Sequence, residues 1–213
     1  MNKKLINILG ITGILQLISY TCAVIFVPLA YPGYDPLAQA VSDLSADTAP
    51  SRALWEQLSA FYSIGSVVCP TCVSVFVSEN KTGTKLFRLG IYLFTVMNWI
   101  SAVGYTMFPL KDSGKDITGI GEKMHMAITA AVVLLSIISL VMLIIYGFRK
   151  GRCRGMGICA AVALTMMFAG AAGHAVVPTE YFGIPERFSV FSAVGFNAVL
   201  GIYLLNGFKT VKA

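Results

Sequence analysis

The chain has 213 residues, of which 56% are apolar and 12% charged, with a mean hydropathy of +0.75, against roughly 25% charged in soluble domains. That balance excludes a soluble globular protein, and spans of about 20 residues each use up the length, so we read 1–213 as a single membrane domain. The formal charge of +6 comes from basic residues between spans, a topology signal that implies no nucleic-acid partner.

The first apolar span runs from about residue 5 to 30, behind Lys3 and Lys4. It has the basic start of a secretory signal, but Ser19, Tyr20 and Thr21 before Cys22 fit no small-residue cleavage site, and it is expected to stay as a spanning helix. Next, Tyr31-Pro32-Gly33-Tyr34-Asp35-Pro36 is turn chemistry. From Leu37 to Ala46 the pattern LAQAVSDLSA predicts a short amphipathic interfacial helix with Leu37, Val41 and Leu44 on one face. Tyr31, Tyr34 and Trp55 suit the headgroup level.

Five more spans follow at about 54–78, 86–108, 123–148, 155–177 and 188–208, and twenty-residue apolar runs exclude the alternating strands of a barrel. The fold class is therefore all-α, with six transmembrane helices. In the second span Ser59, Ser63, Ser66, Pro70 and Ser74 form one stripe, and in the fifth Gly155, Gly157, Ala160, Ala163, Gly170 and Gly173 form another. Such faces let backbones approach closely. Gln16 and Asn98 are expected to bond to neighbouring helices. Cys69 and Cys72 have redox spacing, yet they sit inside an apolar helix and read as inert thiols. No charge occupies the middle third of any span, which disfavours a proton-coupled transporter.

With the N-terminus in the cytoplasm, eleven of the sixteen Lys and Arg fall on the inner side with only Glu79, so the inner and outer faces carry +10 and −4. Both termini are then cytoplasmic, and the localisation expected is the cell membrane. The outer face receives Ser42, Asp43, Asp47, Glu122, His125, His174, Glu186 and Arg187. The two histidines of the chain, His125 and His174, reach the depth of Asp43. Imidazole with carboxylate is a ligand set for zinc or a similar divalent metal, and also an acid/base pair. Asp43, His125 and His174 are therefore the candidate metal ligands, and Ser42, Asp43 and His125 the candidate catalytic residues. Asp47, Glu122, Glu186 and Arg187 are candidate ligand-binding residues, Arg187 through bidentate contact with a carboxylate or lipid phosphate. The connection from Pro109 to Glu122, rich in glycine and mixed charge, is expected to be mobile.

On four motifs the chain resembles the prokaryotic six-span membrane proteins catalogued as domain of unknown function 998. These are the turn leading to Ser-Asp-Leu (Tyr34 to Leu44), Phe108-Pro109 closing the third span, His125 opening the fourth, and Gly183 to Glu186-Arg187 entering the sixth. More distantly the layout is similar to the six-span Frag, DRAM and Sfk proteins associated with lipid handling. The resemblance implies the six-span fold and no settled activity.

Three functional readings follow. The favoured one is a non-enzymatic integral membrane protein whose outer polar pocket binds a lipid headgroup or a membrane-protein partner. The second is a metal-dependent lipid hydrolase at the outer leaflet, and the third is a small transporter. No nucleotide loop supports an ATP-driven mechanism.

Overall fold

The computed structural model describes residues 3–109, 119–149 and 152–211, and its regular elements are all helical. In chain order they are α1 (Lys3–Ile8), α2 (Ile11–Phe26), α3 (Arg52–Leu58), α4 (Ala60–Glu79), α5 (Lys85–Met107), α6 (Ile120–Phe148), α7 (Arg154–Val176) and α8 (Gly183–Leu205). Short 3₁₀ turns occupy Val27–Ala30, Val41–Ser45 and Thr179–Tyr181. Among the described residues six helices are long and apolar enough to cross a membrane, so the chain is a multi-pass membrane protein.

The spanning helices form a ring. Each packs on its chain neighbour, α8 closes against α2, and α4 also touches α8 across the middle. One end, the base, holds Lys3 and Val211; the other, the cap, holds the C-terminal ends of α2, α5 and α7.

The base half is tightly packed. Phe87, Tyr146 and Phe208 are buried together, with Phe87 4.7 Å from Tyr146 and 6.1 Å from Phe208 between ring centres. Without water to compete, close approach and hydrogen bonds decide which helices pair. The glycine stripe does the first: Gly157 meets Gly147 of α6, while Gly170 and Gly173 face Pro185 of α8. Serines do the second, Ser139 donating to the Gly90 carbonyl at 2.8 Å and Ser192 to the Ala163 carbonyl at 2.6 Å. At mid-depth Asn197 donates to the Gln16 side chain and, at 3.2 Å, to the Gly65 carbonyl, which joins α8, α2 and α4. Gln16 therefore bonds across helices as expected. Asn98 does not: its amide donates to Phe94 in its own helix at 2.8 Å.

The structure departs from the expected elements at three places that shape the cap. The stretch expected as a span from residue 54 is two helices, broken at Ser59 between α3 and α4. The cause comes from α2. The Ser19 hydroxyl donates to the Leu58 carbonyl at 2.5 Å and accepts the Tyr62 N–H at 3.1 Å, so a side chain stands in the helical ladder where a backbone bond would close. The last helix begins at Gly183, a full turn before residue 188, which brings Glu186 and Arg187 inside it. Residues 37–46 form no amphipathic α-helix. A 3₁₀ turn covers Val41–Ser45, and its three-residue repeat puts Val41 and Leu44 on one side, both buried, while Leu37 is exposed.

Cys69 and Cys72 are free, and the Cys69 thiol lies 3.6 Å from the Asn197 carbonyl oxygen, buried between helices.

Candidate functional site

The cap is built on a second apolar cluster, in which Tyr20, Val27, Val41, Leu44 and Val194 are buried beneath Tyr34, Trp55, Tyr62 and Phe191. Burial of Val41 and Leu44 pins the 3₁₀ turn over α2 and α8. It also forces the polar backbone of residues 36–42 against the start of α8, where that backbone must find partners.

Two adjacent side chains of α8 supply them. Glu186 accepts the Val41 N–H at 3.1 Å and interacts with the Ser42 N–H, capping the 3₁₀ turn with a charge where its free donors point. Arg187 donates to the Gln39 carbonyl at 3.0 Å, to the Gly183 carbonyl at 2.8 Å and to the Tyr34 hydroxyl at 2.8 Å. Tyr34 in turn donates to the Ala40 carbonyl at 2.8 Å. Gly183 completes the contact: its N–H reaches the Leu37 carbonyl at 2.8 Å, and a Cβ there would lie 2.4 Å from the Gln39 oxygen. Residues some 145 positions apart thus form one latch.

Burial pushes the Tyr34 phenol up to about 12, while the guanidinium of Arg187 beside it acts to lower it. The folded state therefore keeps the phenolic proton above the ordinary value of 10.0, and the stabilisation that needs this proton is complete below pH 10 and is lost as pH rises towards 12. Tyr34→Phe is expected to lower the melting temperature in detergent at neutral pH, with a gap from wild type that narrows between about pH 10 and 12. A gap that stays constant through that range would mean that the hydroxyl does not act through this bond.

The other expected site residues divide into two groups. Asp43 is 8% exposed and accepts the Ala40 N–H at 3.2 Å, so it belongs to the latch rather than to an aqueous acidic face. Ser42, half-buried, is beside it, its carbonyl accepting the Ser45 hydroxyl at 3.0 Å. Asp47 lies on the surface and pairs with Arg52 at 2.5 Å, and Arg52 pairs with Glu56 at 3.0 Å. Exposed pairs of this kind add little to stability, because water and salt screen them. Glu122 reaches back to accept the Gly119 N–H at 2.9 Å at the start of α6.

His125 has a different set of neighbours. Its Nδ1 donates to the Phe108 carbonyl at 2.9 Å and its ring lies 4.8 Å from that of Tyr105. The mixed-charge connection 110–118 and the side chain of His174 lie outside the described residues. Among the described residues no three His, Cys, Asp or Glu side chains come together as a metal site.

Tyrosines link the two groups. Glu186 is within electrostatic range of Asp43, Tyr20, Tyr62 and Tyr105. The rings of Tyr20 and Tyr62 are 4.9 Å apart, and Tyr105 hydrogen-bonds Thr129 of α6 at 3.0 Å. Tyr20 with Tyr62, and Tyr105 with Thr129, therefore lie in the cap half of the bundle with Glu186. Beyond Asn98 no residue of α5 is buried, and none of α6 is buried before Ser136, whereas Phe87, Ile91, Leu140 and Leu143 at the base are wholly buried. Tyr62, Tyr105, His125 and Glu186 are each only partly covered.

Sequence reasoning singled out Glu186, Arg187 and Asp43 but not Tyr34 as the partner of Arg187, nor Tyr62 and Tyr105 as companions of Glu186. An aromatic in an apolar span carries no local mark of which helix it will face.

The chain belongs to the family described as protein of unknown function DUF998, whose model matches residues 14–203, a range containing both halves of the latch. Comparison with curated proteins and with solved structures returned no match.

Proposed function

We propose that the protein is a non-enzymatic, multi-pass cell-membrane protein, with both termini in the cytoplasm, whose outward-facing cap pocket binds a lipid headgroup. The observation that supports this reading is that the polar side chains Tyr62, Tyr105, His125 and Glu186 are only partly covered at the cap end of an otherwise apolar bundle, with the rings of Tyr105 and His125 4.8 Å apart. A pocket of mostly aromatic walls with a few polar groups is the usual form of a small-ligand site. At the end of the spans it lies at headgroup depth. Three of the N–H groups of Arg187 go to Tyr34, Gln39 and Gly183 instead of to a phosphate. Arg187 shapes the pocket rim by holding the latch.

Two measurements test the proposal. A reporter active only in the cytoplasm, fused after Lys212, is expected to be active, and a periplasmic signal there would invert the topology. Mass spectrometry of protein purified in mild detergent is expected to find about one retained lipid per chain, as one such site would hold, depleted by Tyr105→Ala with the fold intact. Lipid at the bulk detergent level in both would remove the binding reading.

A further inference from the structure

We infer that the base end of α7 carries a second lipid site, separate from the cap, where an anionic phospholipid lays one acyl chain in a groove on the outside of the bundle and sets its phosphate on Arg149 and Arg154.

The groove is the geometric basis. It has a volume of about 440 Å³ and is lined by Phe148 of α6 and by Ile158, Ala161, Val162, Thr165 and Met166 of α7. The five α7 residues recur at steps of three and four, so they form one stripe of that helix. Phe148 walls the base end: a Cβ at Gly157 would lie 3.2 Å from its ring. Thr165 leaves the stripe apolar, because its hydroxyl donates to the Ala161 carbonyl at 3.0 Å. From Ile158 to Met166 a helix rises about 12 Å, most of the roughly 15 Å of one hydrocarbon leaflet. An acyl chain of that leaflet therefore has the length and direction to follow it.

Charge selects the headgroup. Arg154 stands four residues before Ile158, one turn towards the base on the same stripe, and Arg149 directly follows Phe148. The two arginines come from different helices, and those helices meet backbone to backbone at Gly147 and Gly157. The Arg152 N–H donates to the Arg149 carbonyl at 3.1 Å, which turns the chain between them. Arg149 and Arg154 are both exposed. The stretch from Arg149 to Arg154 contains no acid, and the first turn of α7 has none. A guanidinium fork matches phosphate oxygens, and basic pockets between spanning helices on the cytoplasmic side select anionic headgroups. The choline or ethanolamine of a zwitterionic lipid would bring a second cation towards the arginines.

The test uses the full chain in nanodiscs of phosphatidylcholine containing one tenth phosphatidylglycerol. One of the two lipids at a time carries a photoreactive diazirine on an acyl chain, and the labelled residues are located by peptide mass spectrometry. At equal probe concentration, phosphatidylglycerol is expected to label residues 148–166 roughly tenfold more than phosphatidylcholine. Both should label the exposed face of α5 at Val96 and Val103 equally. Arg149→Gln with Arg154→Gln should bring the label at 148–166 down to the phosphatidylcholine level. Val162→Trp keeps both arginines, fills the groove from an exposed position and should also remove the preference. Tyr105→Ala, which tests the cap, should leave it unchanged. Equal labelling of 148–166 by the two lipids in wild type would overturn the site. A preference that survives the double arginine variant would overturn the phosphate contact, and one that survives Val162→Trp would overturn the groove as the seat of the chain. A dimer on native mass spectrometry, with residues 148–166 shielded from both probes, would seat a second copy of the chain there instead of a lipid.

Discussion

Gly183→Val is expected to lower the stability of the detergent-solubilised protein by about 3 kcal/mol or more, the largest effect of any single change in the cap. A Cβ at 183 would stand 2.4 Å from the Gln39 oxygen, 2.5 Å from the Pro36 oxygen and 2.7 Å from a terminal nitrogen of Arg187. Two of these neighbours are backbone, which cannot rotate aside, so the segment must lift off α8. Lifting it breaks the Gly183 to Leu37 bond and pulls Gln39 away from Arg187. The Arg187 bond is to a charged group, a kind that contributes about 1.5–3 kcal/mol, which is why the loss exceeds a simple steric clash. Unfolding in increasing dodecyl sulfate, followed by circular dichroism, measures it. Wild-type stability in Gly183→Val would mean that the segment does not rest on α8.

The second large effect is at the base. Gly147→Leu is expected to prevent α6 and α7 from pairing, with a loss of about 4 kcal/mol or no recoverable folded protein. A Cβ at 147 would lie 2.4 Å from both the Cα and the N of Gly157 and 3.0 Å from the Cys153 oxygen, so the helices meet backbone to backbone. Gly195→Ala is the control, because its Cβ would enter open space. In a helix interior it should be neutral or stabilising by up to about 1 kcal/mol. Monodispersity on gel filtration separates the two, and equal recovery of Gly147→Leu and Gly195→Ala would contradict the packing described.

The spans were legible in the sequence because bilayer crossing is a matter of length and apolarity, both local properties. Small-residue stripes were legible for the same reason, and Gly157, Gly170 and Gly173 indeed lie at helix contacts. What escaped was set by other parts of the chain. The break at Ser59 is made by Ser19. The conformation of residues 37–46 is decided by burial of Val41 and Leu44 and by Glu186, so a helical reading of its apolar spacing missed the 3₁₀ turn. Arg187 was recognised as important on its position alone, but its partners are backbone carbonyls and a tyrosine hydroxyl, groups that every sequence contains. The motifs around Tyr34 to Leu44 and Gly183 to Arg187 look like independent short patterns, and the structure makes them two sides of one contact.

That contact sets the geometry of the cap, because it holds residues 36–42 against the start of α8. Hydrogen–deuterium exchange on the protein in nanodiscs, comparing wild type with Arg187→Ala, tests it directly. The latch predicts that amides across residues 34–45 are protected in wild type and exchange at least about tenfold faster in the variant, with the base ends of α5 and α6 unchanged. Equal protection of residues 34–45 in both proteins would show that Arg187 does not hold the segment and would contradict the latch.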